Sequence, residues 1–115
     1  WKPIEGFPVY AGWLHAIRQG QRRLQAGLAV RCPVLLMHSA RSHTGATWSD
    51  AFTRADCVLN VDHMRRYGPG IGPNVTLVSI DNGLHDLTLS APPVRALVFS
   101  ELFTWLERLE QPSQV

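Results

Sequence analysis

Two apolar runs with no polar interruption, and two longer stretches in which apolar residues recur every three or four positions, set the plan of this chain. In "CPVLLMHS" the residues Val34 to Met37 are continuously apolar, and "NVTLVSID" repeats the character with β-branched side chains. Runs without alternation are the mark of strands covered on both faces, as in parallel sheets. From Gly12 the period lengthens: Trp13, Leu14, Ile17, Leu24 and Leu28 gather near one helical face, with Arg18, Gln19, Gln21, Arg22, Arg23 and Gln25 mostly opposite, and Gly27 as the stop. A second helix is predicted from Pro92 to about Gln111. Val94, Leu97, Val98, Leu102, Trp105, Leu106 and Leu109 form its broad apolar face, and a proline suits its first turn. Between the strands lie a polar irregular stretch, a short helix within Thr47 to Arg54, and another ending near Gly68, before the breakers Gly68, Pro69, Gly70, Gly72 and Pro73. Residues 1–12 read as a lead-in and residues 112–115 as a frayed tail.

Helices alternating with strands predict an α/β fold with a parallel sheet. Two parallel strands cannot bury both of their faces, so further strands are expected from elsewhere. Composition strengthens that point. Only 17% of the residues are charged, against about 25% in ordinary domains, although a small domain has more surface per residue to solvate. The chain therefore reads as one piece of a longer protein, with part of its surface meant to be covered. As an isolated chain it is expected to form a dimer or larger assembly.

Net charge is +2, and the basic residues are scattered, with Arg22–Arg23 and Arg65–Arg66 only as pairs. No basic stripe with stacking aromatics marks a nucleic-acid surface. No signal peptide and no span of eighteen apolar residues is visible, which makes a cytoplasmic location the expectation. Cys32 and Cys57 have neither metal nor redox spacing and read as buried free thiols. His38, His43, His63 and His85 lack ligand spacing as well, so no metal or cofactor is expected; His38, inside a strand run, reads as a core residue. Phe7, Tyr10 and Trp13, with Trp1, read as packing around the start of a helix, or as the lining of an acyl pocket.

The chemistry concentrates after the second apolar run. In open parallel sheets, catalytic groups stand just beyond the carboxyl ends of strands. His85 stands there, in "DNGLHDL", where Gly83 would provide a positive φ and close approach. An imidazole in that place can accept and return a proton near neutral pH. Asp86 either bonds near it or caps the following turn. The stretch "GLHDL" after an apolar strand resembles the histidine loop of α/β-hydrolase-fold serine hydrolases, in the group of monoacylglycerol lipases, lysophospholipases and serine aminopeptidases. "CPVLLMHS" resembles the strand before the catalytic acid, "ADCVLNVDHM" the acid with the start of a helix, and "VFSELFTWLERL" the closing helix; the likeness spans about residues 28–109.

That resemblance implies a triad of nucleophile, acid and histidine in chain order. Its histidine is His85, and its acid is one of Asp50, Asp56 and Asp62. Asp56 matches the motif best, although the insertion "ARSHTGATWSDAFTRA" separates it from the strand. No serine here has glycines two positions before and after it, and the oxyanion loop is missing. The expectation is thus the C-terminal part of a serine hydrolase acting on small or lipid-like carboxylic esters. It would be inert by itself, with the nucleophile on the N-terminal half. The competing expectation is a non-catalytic module that pairs with a partner through an exposed strand edge.

Overall fold

The computed structural model describes residues 4–111. Trp1 and the tail at 112–115, for which a pocket or packing role and fraying were expected, lie outside them. The fold is α/β. Strands β1 (Val34–Ser39) and β2 (Val75–Ile80) pair in parallel, from Val34 opposite Val75 to Ser39 opposite Ile80. They make a two-stranded sheet with both outer edges open. Parallel neighbours need a long crossover, and here it carries the helix α2 (Val61–Tyr67). The helix α1 (Ala11–Ala26) precedes the sheet and α3 (Pro92–Glu110) follows it.

Local sequence accounts for the boundaries. Helix α1 stops at Gly27, whose φ of 93° suits a residue without Cβ, and whose N–H bonds the Leu24 carbonyl at 3.1 Å. Asn60 caps α2 by accepting from the Asp62 N–H at 3.0 Å. Pro92 and Pro93 occupy the first turn of α3, where their missing N–H groups cost nothing. The helix expected within Thr47–Arg54 is a single 3₁₀ turn, Asp50–Thr53. Eight residues with Thr47, Ser49 and Thr53 among them, and no side-chain cap at Ser49, do not repay helix nucleation.

Packing is thin. Ala55, Val61, Ile80 and Val98 are the buried apolar residues among those described. Trp105 ties α3 to the sheet by donating its indole N–H to the Thr76 hydroxyl at 3.1 Å. Val34 to Met37 are only half-buried, which corrects the expectation of a strand covered on both faces: the residues are apolar enough, but too few elements flank the sheet. Helix α1 buries no residue, and Phe7, Tyr10 and Trp13 are all exposed, so they neither pack the helix start nor line a pocket. Cys32 and Cys57 are free but exposed, not buried, because both sit in loops outside the small core. No helix among the described residues is long and apolar enough to cross a membrane.

Two global quantities measure this openness. The Cα radius of gyration is 16.8 Å, where a compact domain of this length has about 13 Å. The accessible surface is 8998 Å², against about 6,300 Å² for a compact protein of this mass. The difference of about 2,700 Å² exceeds what a standard protein–protein contact buries.

Candidate active site

The carboxyl ends of both strands lie side by side, and the chain makes its densest network of polar contacts there. The Ala40 N–H bonds the Ile80 carbonyl at 2.8 Å, which extends the pairing past the last strand residues. Beyond it, Asp56 returns to the strand tip as a parallel bridge partner of Ser42. Its N–H bonds the Arg41 carbonyl and its carbonyl accepts from the His43 N–H, each at 2.9 Å. The insertion that separates Asp56 from β1 in sequence is therefore a loop closed at its base, and Asp56 lies beside Ser42 on the extension of β1.

The Asp56 side chain is buried. Its Oδ1 accepts from the backbone N–H groups of Val58 and Leu59, both at 2.8 Å, and its Oδ2 lies 3.0 Å from His85 Nδ1. Burial raises the carboxyl pKa, but the Leu59 N–H, the His85 hydrogen bond, the Val58 N–H and the His85 charge together outweigh it and hold the group below its ordinary 3.8. Asp56 is thus ionised at neutral pH and can only accept. The proton between the two groups must sit on Nδ1, which leaves Nε2 of a neutral imidazole with its lone pair free. The His85 side chain is 44% exposed, and its Nε2 has no hydrogen-bond partner among the described residues. The pair is chemically a base with one nitrogen tethered and the other unbonded, on a side chain that is half-exposed.

Two hydroxyls fasten the loops that carry the pair. Ser42 Oγ donates to the Leu59 carbonyl at 2.6 Å and accepts from the Val61 N–H at 2.9 Å, closing the turn whose N–H groups hold Asp56. Ser90, 2% exposed, accepts from the Leu84 N–H at 2.9 Å and closes the histidine loop. No local pattern singles out either serine, since the bonds of Ser42 reach across the long loop and that of Ser90 depends on how the histidine loop closes. Asn82 was legible in principle. It takes the left-handed conformation, with φ of 58°, and accepts from the Arg41 guanidinium at 3.0 Å. This corrects the role expected of Gly83, whose φ is not in that region. Gly83 serves close approach instead, since a Cβ there would lie 2.6 Å from Leu87 Cδ2 and 3.2 Å from the Ile80 carbonyl oxygen.

The other acid candidates stand apart from the imidazole. Asp62 pairs with Arg65 at 2.8 Å on the exposed face of α2, and Asp50 opens the 3₁₀ turn, where its carbonyl accepts from Thr53. Asp86 caps the turn after His85 through the Thr88 N–H and hydroxyl, and that hydroxyl chiefly holds its carboxyl low. His38 is buried, with Nδ1 on the Ser39 carbonyl and Nε2 without a partner. Among the described residues no group of three or more His, Cys, Asp or Glu side chains is placed to hold a metal ion. Comparison with family models, with curated proteins and with solved structures finds no match to this chain.

Proposed function

We propose that this chain carries the acid and the histidine of a serine hydrolase that cleaves carboxylic esters, and that the nucleophilic serine is supplied by polypeptide outside these 115 residues. The observation that carries the reading is the buried, ionised Asp56 holding His85 Nδ1 at 3.0 Å, on loops at the carboxyl ends of parallel strands, with Nε2 bonded to nothing among the described residues. In this mechanism the serine hydroxyl attacks the ester carbonyl while Nε2 takes its proton. The imidazolium, stabilised by Asp56, then protonates the departing alkoxide. Nε2 next activates a water that releases the acid from the acyl-enzyme. No metal or organic cofactor takes part, and the location is cytoplasmic.

The N-terminal half of the same hydrolase is the partner in this reading. Its support is the surface excess of about 2,700 Å² and the sheet edges left open on both sides. The test is turnover of a p-nitrophenyl ester by the full-length protein. His85→Ala should lower kcat by about 10³-fold or more, and Asp56→Asn by about 10³- to 10⁴-fold, because it leaves the ring in the wrong tautomer. Undiminished turnover in both variants rejects the assignment. The same open edges favour the second reading, a non-catalytic module that adds a partner's strand to its sheet. A full-length protein without any G-x-S-x-G turn would decide for that module.

A further inference from the structure

A cavity of about 470 Å³ opens between the long loop before Asp56, the histidine loop and the start of α3. Neither Asp56 nor His85 lines it. Leu84, Leu89, Pro93 and Val94 supply its apolar wall, and Arg54 and Asn82 its chief polar groups. The ion pairs among the described residues are Arg65 with Asp62 and His85 with Asp56, which leaves the Arg54 guanidinium without one. Asn82 Oδ1 accepts from Arg41 at 3.0 Å, while its two amide N–H groups bond nothing among the described residues. Thr53, also in the lining, spends its hydroxyl proton on the Asp50 carbonyl at 2.7 Å. The acidic side chains of this end of the molecule open onto other cavities, Asp50 onto one shared with Arg41 and Arg54, and Asp86 onto the one beside His85. No Asp or Glu lines this one. An anion entering here exchanges its hydration for a cation and amide donors, whereas a cation would face Arg54 with no carboxylate to offset it.

We propose that this cavity binds a small carboxylate with an apolar body, an acid of the size of phenylacetate. The planar fork of a guanidinium matches the two oxygens of a carboxylate, Asn82 adds an amide donor, and the body meets the four apolar side chains. Pockets that enclose small molecules run from about 300 to 1,000 Å³, and this one falls within that range. The first two positions of α3 are prolines without N–H groups, so the charge of the ligand is met by Arg54. The site does not depend on the ester-hydrolase reading, since neither member of the Asp56–His85 pair touches it. The cavity beside His85 and the groove between α1 and α2, which Leu24 and Met64 line, serve as internal controls.

The test is a titration of the 115-residue chain, labelled in its methyl groups and at arginine Nε. Phenylacetate is compared with acetate and inorganic phosphate, which lack the body, and with benzyl alcohol, which lacks the charge. Phenylacetate should give saturable shifts at Leu84, Leu89, Val94 and Arg54 Nε. Little change is expected at Val58, which lines the cavity beside His85 and not this one, or at Leu24 and Met64. The three comparison probes should each bind about tenfold more weakly or worse. Arg54→Gln alters an exposed side chain and should weaken phenylacetate about tenfold while leaving benzyl alcohol unchanged. Asn82→Asp keeps an acceptor for Arg41 and a residue that tolerates the left-handed backbone; it should weaken phenylacetate as well, by replacing a donor with a like charge. Phenylacetate should also lose affinity as salt is raised, and benzyl alcohol should not. Benzyl alcohol or phosphate bound as tightly as phenylacetate overturns the proposed ligand class. Shifts confined to Val58 or to Leu24 and Met64, binding indifferent to both variants, or no saturable binding overturns the site.

Discussion

The strand-tip loops and helix α1 are opposite kinds of structure in one small molecule. At the strand tips nearly every polar group has a partner. Asp56 spends one oxygen on two N–H groups and the other on His85, while Ser42 and Ser90 close the loops around it. Helix α1 has the stronger amphipathic pattern in sequence and yet buries nothing: Trp13, Leu14 and Ile17 are 57%, 50% and 42% exposed. Hydrogen bonds between neighbouring loops can close within a short piece of chain. Hydrophobic burial cannot, because it needs a second surface. The molecule is thus closed where its own loops can pair and bare where nothing in it supplies a second surface.

Substitutions should separate the two regions. The largest loss of stability is expected for Asp56→Ala, which strands the Val58 and Leu59 N–H groups and removes the partner of His85; about 3 kcal/mol should be lost, read as a lower urea midpoint. An unchanged midpoint would mean that the loops are held by something other than this carboxylate. Acid titration sharpens the point. The folded Asp56 pKa lies below the ordinary 3.8, so its contribution is complete above that value and fades as pH falls through it toward the lower folded value. Wild type should lose stability over that window, and Asp56→Asn should lack that part of the pH dependence.

Next in size, Gly83→Ala forces a Cβ against Leu87 and the Ile80 carbonyl. It should cost about 2 kcal/mol and broaden the His85 ring resonances as the loop shifts. Ser90→Ala leaves the Leu84 N–H without its acceptor and should cost about 1–2 kcal/mol. It should also speed solvent exchange of the His85 Nδ1 proton, whereas Ser90→Thr retains the bond. The smallest effect belongs to the other region: Ile17→Lys on the bare face of α1 should change thermal unfolding by less than about 0.5 kcal/mol. A large loss there would show that the face is covered in solution, by a second copy or otherwise.

Much of this was legible along the chain, and unevenly. The strands, the last helix and its prolines follow from aliphatic runs, periodicity and the fixed φ of proline, and they stand within a residue or two of their expected ends. His85 was legible because a strand end is a local signal and the residues just past it have a known place in open sheets. Burial was not legible. Val34 to Met37 have the composition of a fully covered strand, but coverage depends on how many elements surround a strand, which its own residues do not encode. The exposed Cys57 and the uncovered Phe7 and Tyr10 miss for the same reason.

The partner of His85 shows the division most clearly. From sequence, Asp50, Asp56 and Asp62 were all placed between the strands, and only a resemblance favoured one. The tertiary structure separates them, because a carboxylate 29 residues from the histidine is selected by how the intervening loop closes on itself. That closure rests on the Ser42–Asp56 bridge and the hydroxyl of Ser42. Sequence by itself determined the elements, their order and the place of the imidazole, since each depends on residues within a turn or a strand of one another. Which aspartate meets that imidazole, and which apolar faces stay bare, only the tertiary structure decided, because both are contacts between segments with no local preference for one another.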